Sequence, residues 1–477
     1  WSSLATIILS SERSNFNRSA PCMNPYERRE SQIEEPPTNF AGMAKYLGPG
    51  FILSASIVGS GELIATTALG AKAGFVAMWV ILVSCLVKVF VQLEFGKHAI
   101  HSGETTFEAL NKLPGPRIGK GSWSTWLWLT MMLIKPLQVG GIIGGVGLVL
   151  HILFPSVAVW IWVCLVTPLV SLLIFRGKYQ IVEKFSLVMI GCFALFTIAC
   201  VIGVQYTDFA FSGADIGKGL SFWNGIPIAL IGVAISAFGI TGVGGDEVMA
   251  YNYWLLEKGY AAKTGPCQDT PEWKRRARGW IRVMYWDAFL SMLVYTFMTL
   301  AFYILGAAIL HSQGLEPEGI DTVKTLSRMY TDSLGGWAEI AFLIGAFFVL
   351  FSTLFSALAA WCRLFSDAFG AVGWINFKDP KARGRTIGVL AFFFPILWAT
   401  LFFKFEDPVW MVLVGGAITS AILMIVLVGA IHFRYYRLPD SLRPSKSYDT
   451  GFWVSVIAIV ILAGLSVWTA VQKFLIS

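Results

Sequence analysis

Charge is what this sequence has least of. Only 14% of its 477 residues are Asp, Glu, Lys or Arg, where a soluble domain carries roughly 25%. Hydrophobic residues make up 56% and the mean hydropathy is +0.66, which excludes a soluble globular class and leaves a polytopic membrane protein. Histidine is also scarce. The five, His98, His101, His151, His311 and His432, lie at the ends of apolar runs or in loops without metal-ligand spacing, and read as interfacial. The seven cysteines show no CxxC spacing, and several lie inside apolar runs, where a thiol is usually a small buried hydrophobe. No Ser-His pairing, HExxH or cofactor motif occurs, so no enzyme class is supported and no cofactor is expected. The net charge of +7 is spread over short loops with no separate basic domain, so no nucleic-acid partner is expected. The lipid bilayer is the partner that the composition does imply.

What is present is long apolar runs. Stretches of about 20 residues, enough to span, fall at roughly 46–70, 74–96, 124–152, 156–175, 184–205, 225–255, 283–311, 337–365, 386–403, 408–433 and 452–473. The reading is an all-α polytopic membrane protein of about 11 transmembrane helices. Residues 1–43 read as a disordered cytoplasmic tail, being polar and mixed in charge. Of the 36 Lys and Arg, twenty-eight fall on the N-terminal tail and the alternate loops on its side, six lie on the opposite set, and Lys88 and Lys135 lie within spans. The positive-inside rule then puts the N-terminus in the cytoplasm, in a plasma (inner) membrane.

Two spans carry glycines where an intact helix gains nothing from them, since each costs about 1 kcal/mol relative to Ala. Span 1 holds Gly59-Ser60-Gly61 followed by Glu62. Span 6, SAFGITGVGGDEVMAYNYW, holds Gly242, Gly244 and Gly245 followed by Asp246 and Glu247. The two lie five spans apart, and an odd number of spans per repeat inverts the topology. Paired glycine-broken segments in two inverted five-helix halves, here 44–205 and 225–433 with 452–473 as an extra helix, point to a substrate site at the midplane. A glycine packing face with an acid in a wet cavity is the plainer alternative.

Together Glu62, Asp246 and Glu247 would cost roughly 8–10 kcal/mol to insert unneutralised, and a polyvalent cation offsets much of that. Neighbours on a helix point about 100° apart, so one of Asp246 and Glu247 is expected at the ion and the other in a gate or access path. The available ligands are hard oxygens: carboxylates, the Ser60 and Thr241 hydroxyls and freed carbonyls. Neither break contains Met, Cys or His. Such a set suits Mg²⁺, Ca²⁺ or Mn²⁺ over softer metals. Lys135, followed by Pro136 in span 3, is either a counter-charge to Glu62 or Asp246 or a residue facing a vestibule. Lys88 reads as snorkelling or locally paired. Glu94 and Asp287, near span ends, suit packing or gating.

At this point the chain resembles the Nramp family of divalent-metal transporters over about residues 44–433, with span 11 fitting by position. The resemblance rests on GPGF at 48–51, GKYQIVEKF entering span 5, Asp287 where span 7 begins, and LIGAFFVLFSTLFSALAAW in span 8. It implies alternating-access transport of a divalent cation, with spans 1 and 6 rocking against spans 3, 4, 8 and 9. The departures are informative. The family's Asp-Pro-Gly-Asn in helix 1 reads here as Gly59-Ser60-Gly61-Glu62, and its Met-Pro-His in helix 6 falls on Gly244-Gly245-Asp246. No acid stands near Lys135–Gln138, where the family's proton route has them. Carried over by position, the resemblance implies metal contacts at Glu62, a carbonyl near Gly59, a carbonyl near Thr241 and Asp246, with Gly244 leaving room for water. Ser60, Gly61, Gly245, Glu247, Lys135 and Asp287 would serve gating or access. Mg²⁺ or Mn²⁺ is the expected cargo, with weak or absent proton coupling. A rival on the same scaffold is an amino-acid/cation carrier, although Glu62 would repel a substrate carboxylate.

Overall fold

The computed structural model describes residues 24–176, 179–222 and 225–476. The first span opens with α1, Pro49–Ile57, where Pro49 stands in the first turn and its missing N–H removes no helical bond. The helix then widens into π turns over Val58–Thr66 and returns to α geometry as α2, Thr67–Ala73. Gly74, at φ +57°, ends it, and α3, Met78–Ser102, makes the second span. The third span is divided into α4, Trp123–Met131, and α5, Pro136–Leu153. Pro136 lacks the N–H and crowds the preceding turn, so residues 132–135 form turns rather than helix.

The remaining spans are α6, Val159–Phe175, and α7, Tyr179–Gly203. The sixth is split into α8, Ile228–Ile240, and α9, Gly245–Glu257. Then come α10, Pro271–Leu305, α11, Ala338–Val372, α12, Pro380–Phe405, α13, Pro408–His432, and α14, Lys446–Ile476. Nine apolar stretches among the described residues are long enough to cross a bilayer. The first of them turns back at Gly74 to cross twice, and the shorter α6 adds another, which gives eleven crossings. The ninth span exceeds its predicted 386–403 because Asp379 caps it, accepting from the amides of Lys381 (3.1 Å) and Ala382 (3.2 Å). Among the described residues the sole strands are the two-residue pair Arg117–Ile118 and Gly121–Ser122.

This is an all-α integral membrane protein of two inverted five-span repeats plus α14, and the interrupted spans 1 and 6 lie against each other. The interruption takes two forms: π turns in span 1 and an unwound Thr241–Gly244 stretch in span 6. Small residues set the crossings, as they do where lipid gives helices no hydrophobic drive to associate. A Cβ on Gly239 would fall 2.0 Å from the Gly416 carbonyl, so α8 and α13 meet backbone to backbone. Large apolar side chains such as Trp160, Leu165 and Leu169 on α6, and Val389, Phe393 and Ile396 on α12, stay exposed, where acyl chains would cover them.

Residues 1–23 of the expected tail lie outside the described residues. Residues 24–43 are mostly exposed but make specific contacts with the helices. The Tyr26 hydroxyl donates to Glu257 (2.7 Å), the Trp280 indole N–H donates to the Glu34 carbonyl (3.0 Å), and Glu35 pairs with Arg275 (2.9 Å). The acidic Glu34-Glu35 pair complements the basic loop leading into α10, and complementarity of this kind is invisible when the tail is read by itself.

Candidate functional site

The two interruptions meet through Glu62. Its side chain leaves the π turns of span 1 and is fully buried. Oε1 accepts from the Gly242 amide (3.1 Å) and from the Thr299 hydroxyl of α10 (2.7 Å). Gly242 is at φ +64°, a conformation that costs a Cβ-bearing residue energy, and this backbone turn is what aims its N–H at the carboxylate. The second oxygen, Oε2, is buried with no hydrogen-bond partner among the described residues. Glu247, in the first turn of α9, is in the same condition at its own Oε2. A Cβ at Gly244 would lie 2.2 Å from that atom, so the Glu247 carboxylate occupies the space a side chain at 244 would need.

Asp246 faces elsewhere. Its Oδ1 lies 3.0 Å from the Lys135 ammonium and its Oδ2 accepts from the Trp361 indole N–H at 3.3 Å. Lys135 also bonds the Thr419 hydroxyl of α13. The turn that Pro136 forces in span 3 holds Lys135 where it reaches Asp246. Of the two expected settings, this buried pairing with Asp246 matches the counter-charge geometry. Asp246 and Glu247 border a cavity of about 20 Å³ between α1, α9 and α11, which also touches Leu53, Ala250, Ser356 and Trp361. That is about the room one water requires.

Of the expected carbonyl ligands, the one at Thr241 is engaged within the fold. The Thr241 carbonyl accepts from the Lys88 ammonium (2.9 Å) and from the Ser84 hydroxyl (2.7 Å), whose single proton it shares with the Phe238 carbonyl (2.9 Å). Its hydroxyl lies 3.1 Å from that of Thr66, which in turn donates to the Gly61 carbonyl at 3.0 Å. The glycines of span 1 serve close approach. A Cβ on Gly59 would sit 1.9 Å from Thr353 Oγ1 of α11, and one on Gly61 would sit 2.7 Å from the Ile240 carbonyl. Gly245 likewise lies against Ile422 and Leu423 of α13. The Ser60 side chain lies outside what is described. Among the described residues, no three His, Cys, Asp or Glu side chains converge on one point. Glu62 bonds the amide that follows Thr241, while Asp246 is paired with Lys135.

Asp287 is remote from this centre. Its carboxylate accepts from the amides of Gly48 (2.8 Å) and Gly50 (2.6 Å) at the start of α1 and from the Tyr251 hydroxyl of α9 (3.1 Å). One buried acid thus ties together the same end of α1, α9 and α10. Near it Arg363 of α11 grips Glu257 at the end of α9 through two bonds, 2.6 and 2.9 Å. Glu94 pairs with Lys97 (2.5 Å) and Arg434 (3.0 Å). Thr299 and Lys88 are the contributors to the centre that sequence reasoning missed. Thr299 carried no signal, and Lys88 had one: a cation in the middle of a span.

Crossing spans, interruptions that face each other and buried acids at the crossing are the architecture of a membrane transporter. Residues 50–469 match the family model described as natural resistance-associated macrophage protein-like, Nramp. The chain belongs to the Nramp family, a family of transporters and not of enzymes. It is 22% identical over 470 residues to the divalent metal cation transporter MntH of Nostoc sp., covering 94% of this chain and 98% of that one. Its fold is similar to that of a mutant manganese transporter of Eremococcus coleocola, with TM-score 0.66, 12% identity and coverage of 93% and 90%. It is also similar to a nucleobase-cation-symport-1 family transporter in a closed conformation, with TM-score 0.54, 13% identity and coverage of 93% and 96%.

Proposed function

We propose that this protein carries a divalent metal cation across the membrane by alternating access, with the ion engaged by Glu62 and Glu247. The observation that carries the reading is the pair of buried carboxylate oxygens, Glu62 Oε2 and Glu247 Oε2, left without partners at the two interruptions. An unpartnered buried carboxylate oxygen is costly, and a cation passing the crossing removes that cost. Asp246, placed at the ion by sequence position, is neutralised by Lys135 instead and acts as a structural hinge between span 3 and α9. The Thr241 carbonyl is already engaged by the Lys88 ammonium and the Ser84 hydroxyl. The ligand set is then two carboxylates with water, which suits a partly hydrated Mg²⁺ or Mn²⁺ because hard, compact cations keep several waters.

Membership of the Nramp family and likeness to relatives named for divalent metal or manganese support the substrate class. The ion itself rests on the ligand chemistry, which contains no sulfur or imidazole. Proton coupling is weak or absent, because a lysine stands in span 3 where a proton route would need an acid. The protein sits in the plasma (inner) membrane with its N-terminus in the cytoplasm and imports the ion. Opening on the Pro49 side requires the Asp287 and Glu257 contacts to part. An amino-acid cargo is disfavoured because the two free carboxylate oxygens would repel its carboxylate. The test is uptake into proteoliposomes with Mg²⁺ and Mn²⁺ in competition and internal pH recorded. Saturable uptake of either ion without matching acidification supports the reading. Amino-acid uptake without metal flux, or proton movement that tracks the metal, counts against it.

A further inference from the structure

Lys88 is fully buried at the middle of α3, and its environment is unusual for a lysine. The ammonium donates to the carbonyls of Phe238, Gly239 (3.1 Å) and Thr241 (2.9 Å). It also lies 4.6 Å from the centroid of the Phe238 ring. These carbonyls are the last of α8 and the first of the unwound stretch, the groups a helix C-terminus leaves without intrahelical partners. They also carry the negative end of the half-helix dipole. Three carbonyls engage one nitrogen, so all three N–H donors of the charged form are used. A neutral amine would turn its lone pair on one of the oxygens. The Ser84 hydroxyl, one turn earlier on α3, lies between the Phe238 and Thr241 carbonyls (2.9 and 2.7 Å) and shares its single proton with them. No carboxylate hydrogen-bonds the ammonium among the described residues.

Main-chain carbonyls at the end of a broken half-helix, an aromatic face and no carboxylate in contact are the makings of a site for a weakly hydrated monovalent cation. We propose that the end of α8 is such a cation site and that the chain fills it permanently with its own ammonium, Lys88. The tethered cation holds the unwound stretch in the shape that presents the Gly242 amide to Glu62. It also means that the protein needs no loose Na⁺ or K⁺ at this position. The ligand class the empty cage would take is an alkali cation or ammonium ion of roughly the size of NH₄⁺.

The proposal is independent of which divalent ion is carried, so stability rather than flux is its primary measure. Purified full-length protein is melted in detergent in the chloride salts of Na⁺, K⁺, NH₄⁺ and N-methylglucamine. The wild type is expected to melt at one temperature in all four. Lys88→Ala is expected to melt several degrees lower in N-methylglucamine and to regain most of the loss in NH₄⁺ or K⁺. Lys88→Met, whose chain fills the cage without charge, is expected to be destabilised and indifferent to the salt. Identical melting of Lys88→Ala in all four salts overturns the proposal, as does a Lys88→Met protein as stable as the wild type. Should neither variant accumulate, wild-type metal flux decides: equal flux in N-methylglucamine, NaCl and KCl is expected, and flux that requires Na⁺ or K⁺ overturns it.

Discussion

Replacing Lys135 with methionine strands the Asp246 carboxylate, and the size of that effect follows from the geometry. The two groups lie 3.0 Å apart with side chains only 1% and 9% exposed. At an effective dielectric constant of about 20, unit charges at that distance attract by on the order of 5 kcal/mol. Removing one partner of a buried pair typically costs about 3–5 kcal/mol, whereas removing both together is often nearly neutral. Lys135→Met should therefore destabilise by about 3–5 kcal/mol, since only the Trp361 N–H remains for Asp246. Asp246→Asn should cost less, because the amide oxygen still accepts from Trp361 and Lys135 keeps the Thr419 hydroxyl. The double variant should recover roughly 0.5–3 kcal/mol of the summed single losses. Equilibrium unfolding of the four proteins in mixed micelles measures the cycle. Strictly additive losses would show that the pair does not interact as described.

Three other outcomes follow from the site and its surroundings. Thr299→Val leaves Glu62 Oε1 with the Gly242 amide alone and should lower metal flux by about tenfold, a loss near 1.4 kcal/mol; Thr299→Ser should restore it. Gly244→Ala drives a Cβ to 2.2 Å from Glu247 Oε2, so flux should fall while the melting temperature changes little. In the loop after α3, Glu104 is partly buried, which raises its pKa. Its bonds to His98 (3.0 Å), Lys112 (2.7 Å) and Arg437 (2.8 Å) outweigh that and hold it below the usual carboxylate range. A depressed folded-state pKa stabilises above the unfolded value of about 4.3 and is lost as pH falls through the folded value. Acid titration of the melting temperature should thus show a loss below about pH 4.3 that shrinks in Glu104→Gln.

Architecture could be read from the sequence because length and hydropathy alone fix crossings in a bilayer, and because Gly74 and the Thr241–Gly244 stretch are local punctuation. The division of span 3 was readable in principle from Pro136, yet an apolar run hides a turn whose one charged side chain, Lys135, is satisfied by distant helices. Glu62 was identified from its cost, and cost is local. A split between Asp246 and Glu247 follows from helix geometry, but which of them is neutralised was not accessible, since it depends on Lys135 arriving from 111 residues away. The same holds for the Thr241 carbonyl, which is consumed by Lys88 and Ser84 across the fold. The glycines were read as a break, and Gly242 is one. Gly59 and Gly61 lie in the π turns of span 1, and together with Gly245 they are also contact points, a role that depends on Thr353, the Ile240 carbonyl and Ile422 and leaves no trace in local composition.

Glu62→Gln tests the central claim most directly. The amide oxygen can still accept from the Gly242 N–H and the Thr299 hydroxyl, so the crossing keeps its shape and only the charge at the free oxygen is lost. Divalent-metal uptake into proteoliposomes, with melting temperature measured on the same preparations, separates function from folding. The account predicts a Glu62→Gln protein that melts close to the wild type and transports neither Mg²⁺ nor Mn²⁺ above background. Wild-type flux of either ion through Glu62→Gln would contradict it.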